Sequence, residues 1–160
     1  MSIKIYTDGS AKGNPGPGGY GIVLLSEEGH RKEVAKGFRL TTNNRMELLS
    51  VIVALEMLKA MPLSVSVFSD SKYVVDAVEK KWVFKWEKTF FDKKKNADLW
   101  KRFLVIYRKH HVRFVWVKGH NNNVENERCD KLAVAAANKD SLHDIDRGYE
   151  SSQNQNPKLL

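Results

Sequence analysis

The sequence predicts an α/β domain, a five-stranded mixed sheet whose first three strands run antiparallel and whose faces carry helices. Three observations predict it. Alternating apolar runs joined by short turns open the chain, a helix apolar over most of its circumference follows, and later strand-like runs alternate with helical ones. At 160 residues, 42% of them hydrophobic, the chain has the material for one domain with a core.

The elements follow in order. Ile3, Ile5 and Thr7 alternate with Lys4 and Tyr6, a half-buried strand that stops at Asp8-Gly9. The segment Gly13-Asn14-Pro15-Gly16-Pro17-Gly18-Gly19 reads as a turn, and Tyr20 to Leu25 as the second strand. A hairpin at Glu27-Glu28-Gly29-His30 leads into a third strand over Arg31 to Leu40. From Met46 to Lys59 the only polar residues are Glu47, Ser50, Glu56 and Lys59, so this helix is expected to lie buried against the sheet.

Leu63 to Phe68 is a short strand, and Ser69-Asp70-Ser71 starts a helix over Lys72 to Lys80. Lys81 to Arg108 is helical in pieces. Val112 to Val117 forms the fifth strand, and Glu125 to Asn138 a final alanine-rich helix. The domain is expected to span residues 1–146, with 147–160 a polar, flexible tail whose last two leucines either wave free or dock.

Twenty-seven Lys and Arg against nineteen Asp and Glu leave a charge of +8, which favours a polyanionic partner such as nucleic acid. No apolar run is long enough to span a bilayer, and Met1-Ser2-Ile3-Lys4 opens directly in a strand pattern, so a cytoplasmic or nuclear location and no membrane partner are expected. The lone Cys129 excludes an internal disulfide framework, and the absence of zinc spacing points any metal toward oxygen ligands, hence Mg²⁺ or Mn²⁺.

Four carboxylates, Asp8, Glu47, Asp70 and Asp130, sit at the ends or starts of elements in this basic chain. Singly, each has an ordinary explanation: a turn residue, a capping-box partner of Asn44, an N-cap, a solvated helix residue. Gathered within about 5 Å, they would repel by roughly 3 kcal/mol per pair at an effective dielectric near 20. Such a set needs divalent cations as compensation. Thr42, Asn43, Asn44 and Arg45 crowd one helix start, where backbone N–H groups favour a phosphate. Between Glu79 and Lys95, seven lysines interleave with Trp82, Phe84, Trp86, Phe90 and Phe91, a pattern suited to tracking a nucleic-acid backbone.

Thr7-Asp8-Gly9-Ser10 with the Gly13 to Gly19 segment, then Thr42-Asn43-Asn44-Arg45-Met46-Glu47, Ser69-Asp70-Ser71, and Val117-Lys118-Gly119-His120 with Glu125 to Asp130, together resemble type I ribonuclease H of the bacterial kind. The resemblance runs from about Ile3 to Asn138. It implies a ribonuclease H-like fold and endonucleolytic cleavage of the RNA strand of RNA–DNA hybrids, leaving 5′-phosphate and 3′-hydroxyl ends.

By that resemblance Asp8, Glu47, Asp70 and Asp130 would hold two Mg²⁺ ions, with Mn²⁺ as substitute, and His120 would help proton transfer or product release. Thr42, Asn43 and Arg45 match a pocket for a DNA-strand phosphate, and Asn14 and Asn44 match minor-groove contacts. Ser71 and Lys72 join the substrate-binding set, Lys72 standing where glutamine is common. Lys80, Lys81, Trp82, Lys85 and Trp86 lie in a basic handle, somewhat shorter than usual, and a monomer is expected. The rival readings are a non-catalytic duplex-binding module and a DNA-cutting nuclease of the same fold.

Overall fold

A computed structural model of the chain describes residues 2–119, 123–139, 141 and 143–154. Strands β1 (Ser2–Ala11), β2 (Gly16–Ser26) and β3 (Arg31–Thr41) are followed by helix α1 (Asn43–Glu56), β4 (Ser64–Ser69) and α2 (Lys72–Glu79). Then come α3 (Trp82–Lys88), α4 (Ala97–Tyr107), β5 (His111–Trp116), α5 (Val124–Asn138) and α6 (Arg147–Asn154). The sheet order is β3-β2-β1-β4-β5. β1, β2 and β3 pair antiparallel, while β4 pairs parallel with both β1 and β5. This is the mixed sheet that the sequence predicts.

Helix α1 packs on β1, β2 and α4, and α5 packs on β1, β2 and β3. Ten residues of α1 are buried, among them Met46, Leu48, Val51, Ile52 and Leu55. Trp100 and Phe103 of α4 join them, Trp100 lying edge-on to Phe103 and to Trp86. Burying rings of this size supplies a large share of the apolar stabilisation in a domain of this length.

Some boundaries differ from expectation for local reasons. α1 begins at Asn43 rather than Met46 because the Thr42 hydroxyl accepts a hydrogen bond from the Arg45 N–H and caps the helix. β2 begins at Gly16 rather than Tyr20, since Gly18 and Gly19 pair with Ala11 and Ser10. A Cβ on Gly19 would stand 2.6 Å from the Ala133 carbonyl oxygen, so glycine there admits α5 onto the strand.

The tail expectation is corrected in part. Residues 147–154, read as flexible chain, form α6, tied to β3 by paired hydrogen bonds of 2.9 and 2.8 Å from Arg39 to Glu150. Asp146 caps this helix, accepting from the Tyr149 N–H at 3.2 Å. Residues 155–160, with the two leucines, lie outside the described residues.

Candidate active site

Asp8 lies near the carboxyl end of β1, and the parallel register Tyr6↔Phe68 continues toward Asp70, the residue after β4. Two neighbouring parallel strands thus end with their carboxylates at one level. Glu47 reaches them from α1 because residue 9 is glycine: a Cβ there would lie 2.5 Å from the Glu47 backbone nitrogen. One carboxylate oxygen from each of Asp8, Glu47 and Asp70 falls within 4.8 Å of the others. Asp130 stands on α5, which packs against β1, and its charge acts on Asp8.

The ordinary roles for these residues are filled by others. Ser71, not Asp70, caps α2, accepting from the Val74 N–H at 3.3 Å. Thr42 caps α1 without help from Glu47. The Asp70 backbone is held by Trp116, whose Nε1–H donates to its carbonyl at 3.2 Å.

Burial and mutual repulsion set the protonation of the cluster. Asp8 is pushed up to about 8, first by desolvation and then by the Asp70 charge, against the partial relief of hydrogen bonds from the neighbouring groups. Glu47 is raised well above the usual carboxylate range by burial and by the charges of Asp8 and Asp70. Its Oε2 is buried and has no hydrogen-bond partner among the described residues. A buried oxygen without a donor, in an all-carboxylate set, is what a hard divalent cation satisfies. The residues therefore fit such an ion, with Asp8, Glu47 and Asp70 as ligands.

The other predicted residues divide. Asn43 and Asn44 are exposed at the start of α1, and the exposed Asn14 accepts from the Asn43 N–H at 3.1 Å. Lys72 stands 4.8 Å over the Trp116 ring, beside Asp70. In the handle, Lys80 and Lys81 lie over Trp82 and Phe84. Lys85 is exposed, and Trp86 is half-buried against Trp100. His120 lies outside the described residues.

Arg45 lines a polar cleft with Thr42 and Asn44 but is only 3% exposed, so its surroundings are more ionic than the sequence suggests. Its Nε and Nη2 donate to Asp146 at 2.8 and 2.9 Å, and Nη1 and Nη2 donate to Asp98 at 2.9 and 2.8 Å. A buried cation needs such partners, and here they use every nitrogen of the fork. Sequence reading missed Asp98, Asp146 and Trp116 as site-building residues, since the chain gives no local signal for contacts so distant in sequence. Gly9 beside Asp8 was a visible signal, though its reason, the approach of α1, was not.

Comparison with known proteins agrees with this geometry. The family model described as RNase H matches residues 1–138. A ribonuclease H of Trichodesmium erythraeum is 54% identical over 153 residues, covering 92% of this chain and 96% of that protein. A ribonuclease HI of Synechocystis sp. is 47% identical over 154 residues, covering 92% of this chain and 94% of the relative. Among solved structures, LC9-RNase H1, described as a type 1 RNase H with the type 2 active-site motif, shares a TM-score of 0.77 and 32% identity, covering 94% of this chain and 80% of that one. LC11-RNase H1, solved in complex with RNA/DNA hybrid, shares a TM-score of 0.62 and 30% identity, covering 87% of this chain and 99% of that one. With carboxylates converging at the ends of two parallel strands and a family model spanning most of the chain, this protein belongs to the ribonuclease H family, in its type I branch.

Proposed function

We propose that this ribonuclease cleaves the RNA strand of RNA–DNA hybrids internally, using two divalent cations, Mg²⁺ in the first place and Mn²⁺ as substitute, and leaves 5′-phosphate and 3′-hydroxyl ends. The observation that carries the reading is the convergence of Asp8, Glu47 and Asp70 within 4.8 Å, with the charge of Asp130 beside them. The chemistry supplied by such cations when bound is activation of the attacking water and stabilisation of the leaving 3′ oxygen.

The chain's own residues do the rest. Asp8 and Glu47, raised in pKa while the cluster is bare, give up protons to become ligands. Asp130 completes the set from α5, and His120 accepts or returns a proton at the leaving group. Thr42, Asn43, Asn44 and Asn14 form a polar edge that holds the DNA strand, Ser71 and Lys72 sit on the RNA side of the carboxylates, and the handle's Lys80, Lys81, Trp82, Lys85 and Trp86 extend the contact. We place the enzyme in the cytoplasm as a monomer, its single, buried free thiol at Cys129 suiting a reducing compartment. Among the described residues no helix is long and apolar enough to cross a membrane.

The test is a gel comparing an RNA–DNA hybrid, double-stranded RNA and double-stranded DNA, with and without Mg²⁺. Mg²⁺-dependent scission of the hybrid alone is expected. Asp8→Asn and Asp70→Asn are expected to abolish it while hybrid binding persists. Cutting of double-stranded DNA, or full activity in either variant, overturns the reading.

A further inference from the structure

Beyond the carboxylates, the structure holds a cleft of about 920 Å³ between the start of α1, the turn ahead of α4, and α6. That volume is at the upper end of ligand pockets, so it suits a length of chain better than a lone ion. Its first wall carries Thr42 and Asn44, already placed on the substrate path. The second carries Lys94, Lys95 and Lys101, and the third is α6, with Tyr149, Ser152 and Gln153 on the cleft.

The charge of the cleft follows from the pairing of Arg45. This guanidinium spends its charge on Asp98 and Asp146, leaving one surplus negative charge. The three exposed lysines outweigh it. Among the described residues, the ammonium groups of Lys94, Lys95 and Lys101 enter no ion pair or hydrogen bond, and that of Lys94 only stands 5.0 Å over the Trp86 ring. A polar cleft with unpaired ammonium groups is built for a polyanion.

The third wall is held rigidly. Asp146 binds Arg45, accepts from the Thr41 hydroxyl at 2.7 Å and caps α6, while Arg39 grips Glu150. At Gly148 a Cβ would collide with Asp98 and Arg45, so the helix lies directly on the ionic cluster. Helix α6 is therefore anchored to the strand and helix that carry the substrate path.

We propose that α6 is a third wall of the nucleic-acid groove, and that Lys101 with Tyr149, Ser152 and Gln153 holds the phosphodiester backbone of the bound strand beyond Thr42. This rests on the hybrid-cleaving reading, and it adds residues outside the family match, which ends at residue 138. The lysines supply charge. The hydroxyls and amide of α6 supply hydrogen bonds to phosphate and sugar, which position a strand without reading its sequence.

Two paired variants on α6 test it, Ser152→Glu with Gln153→Glu and Ser152→Lys with Gln153→Lys, all on the exposed surface and none in the anchor. Affinity for a fluorescent RNA–DNA hybrid is read by anisotropy without divalent cation. The glutamate pair is expected to weaken binding about tenfold and the lysine pair to tighten it several-fold, and Lys101→Gln to flatten the slope of log K against log salt by about 0.9. In cleavage assays the glutamate pair is expected to raise KM rather than lower kcat. Affinities of both pairs within twofold of the parent overturn the wall. Hybrid that is bound with these shifts but never cut overturns the nuclease reading alone.

Discussion

Gly9 of β1 and Glu47 of α1 meet backbone to backbone, so that a single added carbon at residue 9 would lie 2.5 Å from the Glu47 nitrogen and 2.6 Å from the Met46 carbonyl carbon. The contact is with main chain, which cannot swing aside as a flexible side chain does. It sets how closely the helix carboxylate approaches the strand carboxylate, and hence whether a cation can be shared between them.

Gly9→Ala is therefore expected to push α1 away from β1. Overpacking of this kind costs about 1–3 kcal/mol of stability. Displacing Glu47 by even an ångström is expected to cost roughly a hundredfold in kcat. Urea melts and cleavage rates on the purified variant check the two effects, and wild-type activity in a folded variant would sink the argument.

Stability of the metal-free protein should depend on pH in a direction that the site dictates. Asp8 has its carboxyl raised from 3.8 to about 8, so the folded state holds a proton that the unfolded chain has released. The contribution is fully present below pH 4 and is lost as pH climbs toward 8. Between pH 5 and 9, Asp8→Asn is expected to gain in melting temperature over the parent, most at the alkaline end. Mg²⁺ is expected to stabilise the parent more at high pH than at low, and to stabilise Asp8→Asn less. Melting curves with EDTA and with Mg²⁺ decide it, and a parent whose metal-free stability rises over that interval contradicts it.

The ionic cluster around Arg45 should be unequal in its parts. Asp146 is buried, whereas the Asp98 side chain is 48% exposed. Arg45→Ala or Asp146→Ala strands a buried charge and is expected to cost about 3–5 kcal/mol. Asp98→Ala is expected to cost about 1 kcal/mol or less, because water screens it and Asp146 still neutralises the guanidinium. Equilibrium urea unfolding ranks the three, and equal losses would count against this assignment of burial.

Lys72 offers a test next to the carboxylates. Its ammonium rests over Trp116, and Trp116 in turn holds the Asp70 carbonyl. Lys72→Gln removes the charge and keeps a donor. The variant is expected to lower the salt slope of hybrid binding by about one contact, roughly 0.9 in log–log terms, with little change in melting temperature. An unchanged slope means that Lys72 points its charge elsewhere.

The strand, turn and helix order was legible because alternation, glycine-rich turns and capping residues act between near neighbours in sequence. Asp8, Glu47, Asp70 and Asp130 were legible as candidates for the same reason, since each stands at the end or start of an element. The glycines of β2 misled the reading: Gly18 and Gly19 look like turn residues, yet they belong to a strand on which α5 lies. The polar composition of residues 147–154 likewise concealed a helix, because its hold on the domain is electrostatic, through Asp146 and Glu150, rather than apolar.

By itself, then, the sequence determined the fold class and the family resemblance and singled out the candidate acidic residues, all of which rest on local pattern and on motifs in order. Tertiary structure decided what those residues face. Arg45 looks the same in sequence whether it greets a phosphate or a carboxylate. Only the fold brings Asp146, 101 positions away, within 2.8 Å of its Nε and turns it inward. Charges are neutralised by neighbours in space, and the parallel pairing of β1 with β4, like the bare surface of Gly9, creates neighbours that no local spacing announces.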